Sequence, residues 1–158
     1  MFPILLPFFR WCDASWLSLE IRASTWQFAI IEMIHLLGLT MLLGTLWVLD
    51  MRLLGLGMRR QNPAELAKDL ARWMWTGLWV MLISGVLLFF GEPMKLFGSP
   101  SFHVKMFLLV LAIGFQLTLF RRVVTDKQAS AAIDKVVACL SLALWFGVGL
   151  AGRGIGFL

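Results

Sequence analysis

Two ionisable residues, Glu32 and His35, stand inside an apolar run covering residues 26–49. At ~3.6 residues per turn their spacing puts both on one helix face. A bilayer core of ~30 Å takes ~20 residues of helix, so both side chains belong to membrane depth, where ionisable groups usually face a bundle interior, a cofactor or a proton path. The second histidine, His103, opens a later apolar run together with Lys105, and Arg153 ends the last one. Neutral imidazole is a common ligand to haem iron, and helix bundles hold such groups between facing helices. His35 therefore reads as an axial ligand to a b-type haem. Gly38, one turn on, would let a flat macrocycle approach the backbone, and Lys105 and Arg153 would pair with its propionates. His103 reads as the second iron ligand, and Glu32 as a cofactor-site carboxylate. The competing reading is a histidine hydrogen-bonded to a helical neighbour, with glycines serving small-residue helix packing.

The depths of these groups bear on the choice. Counted at ~1.5 Å per residue, Glu32 and Lys105 come out nearly level, ~9 and ~8 Å along helices of the same direction. They are thus expected to neutralise each other. His103 and Lys105 lie ~200° apart around their helix and cannot face the same centre, and His103 sits ~9 Å shallower than His35. Other metal chemistry finds less support. A Glu-x-x-His pair suits a di-iron site only with a second pair and more carboxylates. No M-x-x-M or H-x-H cluster accompanies the 9 methionines, and no C-x-x-C, P-loop or nucleophile triad is present.

Composition sets the class. Of 158 residues 60% are hydrophobic and 15% charged, with mean hydropathy +0.86; this is a single membrane domain over residues 1–158, not a soluble one. The net charge of +5 then reports membrane topology, since no basic face or nucleic-acid motif is present. Cys12 and Cys139 are too few and too separated for a disulfide framework.

Four spanning helices are expected within residues 26–152. The first covers 26–49. The second covers 73–90 and continues a helix started by Asn62, a natural N-cap, with Pro63 at N1 and Glu65 completing a capping pattern. The third begins at Ser99-Pro100 and reaches about Phe120, and the fourth covers about 133–151. Residues 1–9 are apolar but short and proline-broken, which suits neither a signal peptide nor a span. From Asp13, a plausible N-cap, to Ala23 the pattern is that of an interfacial helix. The expected fold is all-α: an integral membrane four-helix bundle with an N-terminal interfacial segment over residues 1–25. Asp50-Met51-Arg52 is expected to tie the far end of the first span to a neighbouring helix.

Loop charge orients the bundle. Arg52, Arg59, Arg60, Lys68 and Arg72 follow the first span; Arg121, Arg122, Lys127 and Lys135 follow the third. Together they are nine of the 14 basic residues, against only Lys95 in the intervening loop. The positive-inside rule then puts both termini outside a bacterial inner membrane.

The stretches Ile31-Glu32-Met33-Ile34-His35-Leu36-Leu37-Gly38, Leu42-Leu43-Gly44 and Asp50-Met51-Arg52-Leu53-Leu54-Gly55 resemble a family of small bacterial four-helix membrane proteins of unknown function. So do Phe102-His103-Val104-Lys105-Met106, Leu144-Trp145-Phe146-Gly147 and Ala151-Gly152-Arg153. More distantly, the chain resembles HemJ-type protoporphyrinogen oxidases and copper-resistance protein D. The HemJ resemblance implies bound haem b, with His35 at the first-helix histidine and His103 and Lys105 at the H-x-K opening of the third helix. Glu32 matches the nearer family only.

The expected function is a membrane b-type haem protein acting in electron transfer or a redox step in the outer half of the bilayer. One alternative is a haem-dependent porphyrinogen- or quinone-linked oxidase; another is a cofactor-free accessory subunit or a proton or ion relay. Expected partners are the lipid bilayer and a quinone or redox protein, not nucleic acid. The chain would act as a homodimer or as a subunit of a larger membrane complex.

Overall fold

The computed structural model describes residues 3–57, 60–120 and 130–156. The described residues are helical with no strand. A 3-10 turn, Pro3–Leu5, leads into α1 (Leu6–Asp13) and α2 (Trp16–Ala23). The long helices are α3 (Thr25–Leu53), α4 (Pro63–Gly91), α6 (Pro100–Phe115) and α7 (Ala131–Gly154). A short α5 (Pro93–Gly98) joins α4 to α6, and a π-helical segment, Gln116–Phe120, continues α6. Four helices are long and apolar enough to cross a membrane, so the chain is an all-α, multi-pass membrane protein with the expected four spans. Arg59, Arg121, Arg122 and Lys127, part of the charge asymmetry, lie outside the described residues.

Side-chain caps fix where each long helix starts. Ser24, Asn62, Ser99 and Ser130 accept hydrogen bonds from the backbone N–H groups of Gln27, Ala64, Phe102 and Ile133. Pro63 and Pro100 occupy the first turns of α4 and α6, where a missing N–H costs nothing. One local expectation changes. Asp13 does not cap the second short helix: it ends α1, where its carboxylate takes the Arg22 guanidinium at 2.8 Å, and Ser15 caps α2 instead. Residues 6–9, which suit neither a signal peptide nor a span, are helical because Pro7 falls in the first turn of α1. Cys12, in the last turn of that helix, is fully buried, and burial pushes its thiol up from its usual value. It is a packing residue rather than a reactive thiol.

Helices apolar on every side carry no stripe that says which face packs, and lipid supplies no hydrophobic drive to bring them together. Small residues decide it here. A Cβ on Gly77 would lie 2.8 Å from the Leu42 backbone N and 3.1 Å from the Gly38 carbonyl oxygen; one on Gly38 would lie 2.8 Å from Val80 Cγ1. Gly38 and Gly77 thus bring α3 and α4 into backbone contact. α3 also packs on α7, and α7 on α6; the α4–α6 side has no comparably close backbone approach among the described residues. Leu42, Leu46, Leu78, Met81, Ala112, Trp145 and Val148 fill the middle of the bundle. Ile83, Phe107, Val110 and Leu150 are exposed, as lipid-facing residues should be. At one end α1 and α2 lie against α3, α4 and α5, with Phe9 edge-on to Phe89 and packed on Phe97.

Gly77→Ala should lower unfolding stability in detergent by about 1–3 kcal/mol, because the added methyl meets backbone that cannot move aside. At Gly44 an added Cβ would have nothing within 4 Å, so Gly44→Ala should be tolerated without loss. Equal melting points for Gly77→Ala and the unmodified protein would show that α3 and α4 do not meet this closely.

Candidate functional site

At the end of the bundle where α3 and α6 begin lies a cavity of about 320 Å³. Its walls draw on α3, α4, α5, α6 and α7. Four of the residues singled out from sequence line it together: Glu32, His35, Lys105 and Arg153. Glu92 and Lys95, paired with each other at 2.9 Å, also line it, and the apolar remainder is Leu, Phe, Met, Val, Ile and Gly, the usual make-up of a ligand pocket.

His35 is held in a defined state. Its Nδ1 lies 2.9 Å from Ser84 Oγ, and the Ser84 hydroxyl donates to the Val80 carbonyl one turn back. A hydroxyl has one proton, already given to Val80, so Ser84 must accept from His35 Nδ1–H. That tautomer leaves the lone pair on Nε2 for a ligand, an arrangement common to metal-binding histidines whose other nitrogen is tied to a second group. Gly85 makes room for the ring: a Cβ there would lie 3.3 Å from His35 Cε1. Gly152 does the same for Lys105, whose Cε and Nζ would both lie 3.4 Å from an added Cβ.

Not every expected group behaves as the spacing suggested. Glu32 and Lys105 share the cavity, but the side-chain ion pairs among the described residues are Arg22–Asp13 and Lys95–Glu92. The expected Glu32–Lys105 neutralisation is therefore not made: the two line one cavity without being joined across it. His103 is not among the cavity-lining residues; its Nδ1 lies 2.8 Å from the Ser99 carbonyl oxygen one turn back, so Nδ1–H donates to it. Gly38 is likewise outside the lining and serves the α3–α4 contact. No cluster of three or more metal-ligating His, Cys, Asp or Glu side chains occurs among the described residues.

Sequence reading missed Ser84 and Gly85, which hold and accommodate the imidazole, and the aromatic wall of Phe28, Phe89 and Phe102. The signal for the first was a Ser-Gly pair in the middle of an otherwise apolar helix. Phe89 stacks on Phe102 with ring centroids 6.2 Å apart, bridging α4 and α6 in the cavity wall.

Residues 8–158 match a family described as a family of unknown function (DUF6644), and the chain belongs to that family. No curated protein and no solved structure matches the chain.

Ser84→Ala removes the acceptor that fixes the His35 tautomer. It should leave the fold intact but weaken metal or haem retention by roughly 10–100-fold, the usual cost of losing such a partner, as read by titration of the purified protein. Unchanged affinity would mean that Ser84 does not orient the ring.

Proposed function

We propose that the protein binds one b-type haem in this cavity, through His35, and works in electron transfer or a related redox step. The observation that carries the reading is the His35 side chain itself: Nδ1–H is engaged by Ser84, and the ring stands in a membrane-depth cavity beside two cationic side chains, Lys105 and Arg153. The residue set fits the group. His35 supplies an imidazole nitrogen for iron, and Lys105 and Arg153 supply charge for two propionates. Gly149 and Gly152 keep the α7 wall low. The cavity is small for a whole tetrapyrrole, but its α4–α6 side is not closed by backbone contact, so part of a flat ligand would meet lipid. Bound haem supplies a one-electron iron couple. The protein's own contribution is to fix the imidazole tautomer, neutralise carboxylates and exclude water with an aromatic wall.

His35 is the one protein ligand this reading requires. The expectation that His103 is a second one is tested separately, since its Nε2 lies on a side chain already anchored to the Ser99 carbonyl. A second reading, a porphyrinogen- or quinone-linked oxidase, is favoured by Glu32 and Lys105: they stand in the same cavity without an ion pair between them, available to move protons. The distant resemblance to HemJ-type oxidases points the same way. Both readings place the site in the outer half of a bacterial inner membrane with both termini outside, by the positive-inside argument.

The unmodified protein purified in detergent should carry a visible haem spectrum, and His35→Ala should abolish it. A colourless protein that also fails to take up added haem would end the proposal. His103→Ala should leave the spectrum unaltered if His35 acts alone, and should convert a six-coordinate spectrum to a five-coordinate one if His103 is a ligand. A reporter fused to the C-terminus should be active only when outside the cytoplasm; activity inside would reverse the orientation.

A further inference from the structure

Away from the cavity, toward the opposite end of the bundle, three buried polar atoms have no hydrogen-bond partner among the described residues: Asp50 Oδ1, Gln116 Oε1 and Trp145 Nε1. Asp50 and Trp145 are only 1% and 2% exposed. They come from three helices, yet the packing puts them at adjoining levels. Leu46 of α3, Ala112 of α6 and Trp145 of α7 belong to one buried apolar cluster. One turn further along α3 and α6, and one turn back along antiparallel α7, stand Asp50, Gln116 and Ser141. The Ser141 hydroxyl donates to Asp50 Oδ2 at 3.0 Å, which fixes that level. Gln116 also begins the π-helical segment, and its Nε2 already reaches Met74 Sδ of α4.

The chemistry of the three atoms is complementary to one small molecule. Asp50 Oδ1 and Gln116 Oε1 accept hydrogen bonds, whereas indole Nε1–H only donates. A water molecule accepts one bond and donates two, matching the set, and buried waters typically make about three such bonds to otherwise unsatisfied groups. A bare cation would suit the two oxygens but would face the N–H dipole with the wrong sign. We propose that Asp50, Gln116 and Trp145 form an internal hydration site holding an ordered water molecule that links α3, α6 and α7. The site is distinct from the cavity, and the π-helical segment, which carries one extra residue per turn, sets the rotation of Gln116 at its edge.

Infrared spectroscopy of the full chain in lipid nanodiscs tests this. The Asp50 carboxyl band is assigned by its loss in Asp50→Asn. It should shift when water is replaced by heavy water, and should shift in both Gln116→Leu and Trp145→Phe, each of which removes one partner of the water and not of Asp50 itself. A band that ignores both substitutions overturns the proposal, as does a shift that depends on added sodium, which would indicate a cation. Should either variant fail to fold, an experimental structure of the unmodified protein decides. Ordered water within hydrogen-bond distance of all three atoms is expected. Direct contact between the side chains, or a dry gap, would overturn the site.

Discussion

The backbone contact between Gly38 of α3 and Gly77 of α4 is the constraint on which the rest of the bundle hangs. Apolar side chains gain nothing by leaving lipid for one another, so close backbone approach and interhelical hydrogen bonds must hold these helices together. Once Gly38 and Gly77 set the register, residues in α4 are fixed relative to α3 in both directions. Two turns beyond Gly77, Ser84 and Gly85 face His35; about two further turns on, Gly91 receives Phe28, which a Cβ would meet at 2.7 Å. The tautomer of the imidazole is therefore a consequence of a glycine contact more than one turn away. A side chain that opened this contact would move Ser84 away from the ring before it touched the cavity.

The opposite side of the bundle is built the other way. α4 and α6 make no comparably close approach among the described residues, and they are bridged by side chains: Phe89 on Phe102 at one level, Gln116 to Met74 at another. Three sides of the four-helix bundle are in close helix–helix contact, while the fourth is bridged by rings and flexible chains. The short helix α5 and the aromatic contacts of α1 cover the end of that open side, which gives the N-terminal segment a structural role beyond lying on the bilayer surface.

Much of the architecture was legible because its signals are local. Ser99-Pro100 and Asn62-Pro63 are helix starts in any context, and a membrane span is a matter of length and hydropathy. Asp50 also behaved as its isolation suggested, tying α3 to α7 through Ser141. The site was legible only in outline. Counting residues placed Glu32 and Lys105 at nearly the same depth with His35 a turn deeper, and all three line one cavity; it could not tell that Glu32 and Lys105 stay apart, because lateral separation depends on the open α4–α6 side. Gly38 misled for a related reason: a glycine near a histidine looks like space for a ligand, whereas its neighbour across the interface is another helix. The π-helical segment has no sequence signal of the kind that marks a cap, since it reflects how α6 fits its neighbours rather than its own propensity.

The two polar regions of the bundle do not communicate through side chains. His35 and Asp50 are fifteen positions apart on α3, ~22 Å along the axis. Between them lie Leu42, Leu46, Leu78, Met81, Trp145 and Val148, all buried in one cluster. The ionisable residues of the cavity, Glu32, His35, Glu92, Lys95, Lys105 and Arg153, all stand on one side of that layer, and Asp50 stands on the other. At this level the polar side chains are Trp145, whose indole N–H donates but cannot accept, and buried Thr45, whose hydroxyl bonds to the Met41 and Leu42 carbonyls of its own helix. No chain of side-chain hydrogen bonds among the described residues joins His35 and Ser84 to Asp50 and Ser141. The cavity and Asp50 are thus separate polar sites, each tied to its own neighbouring helix, α4 for His35 and α7 for Asp50.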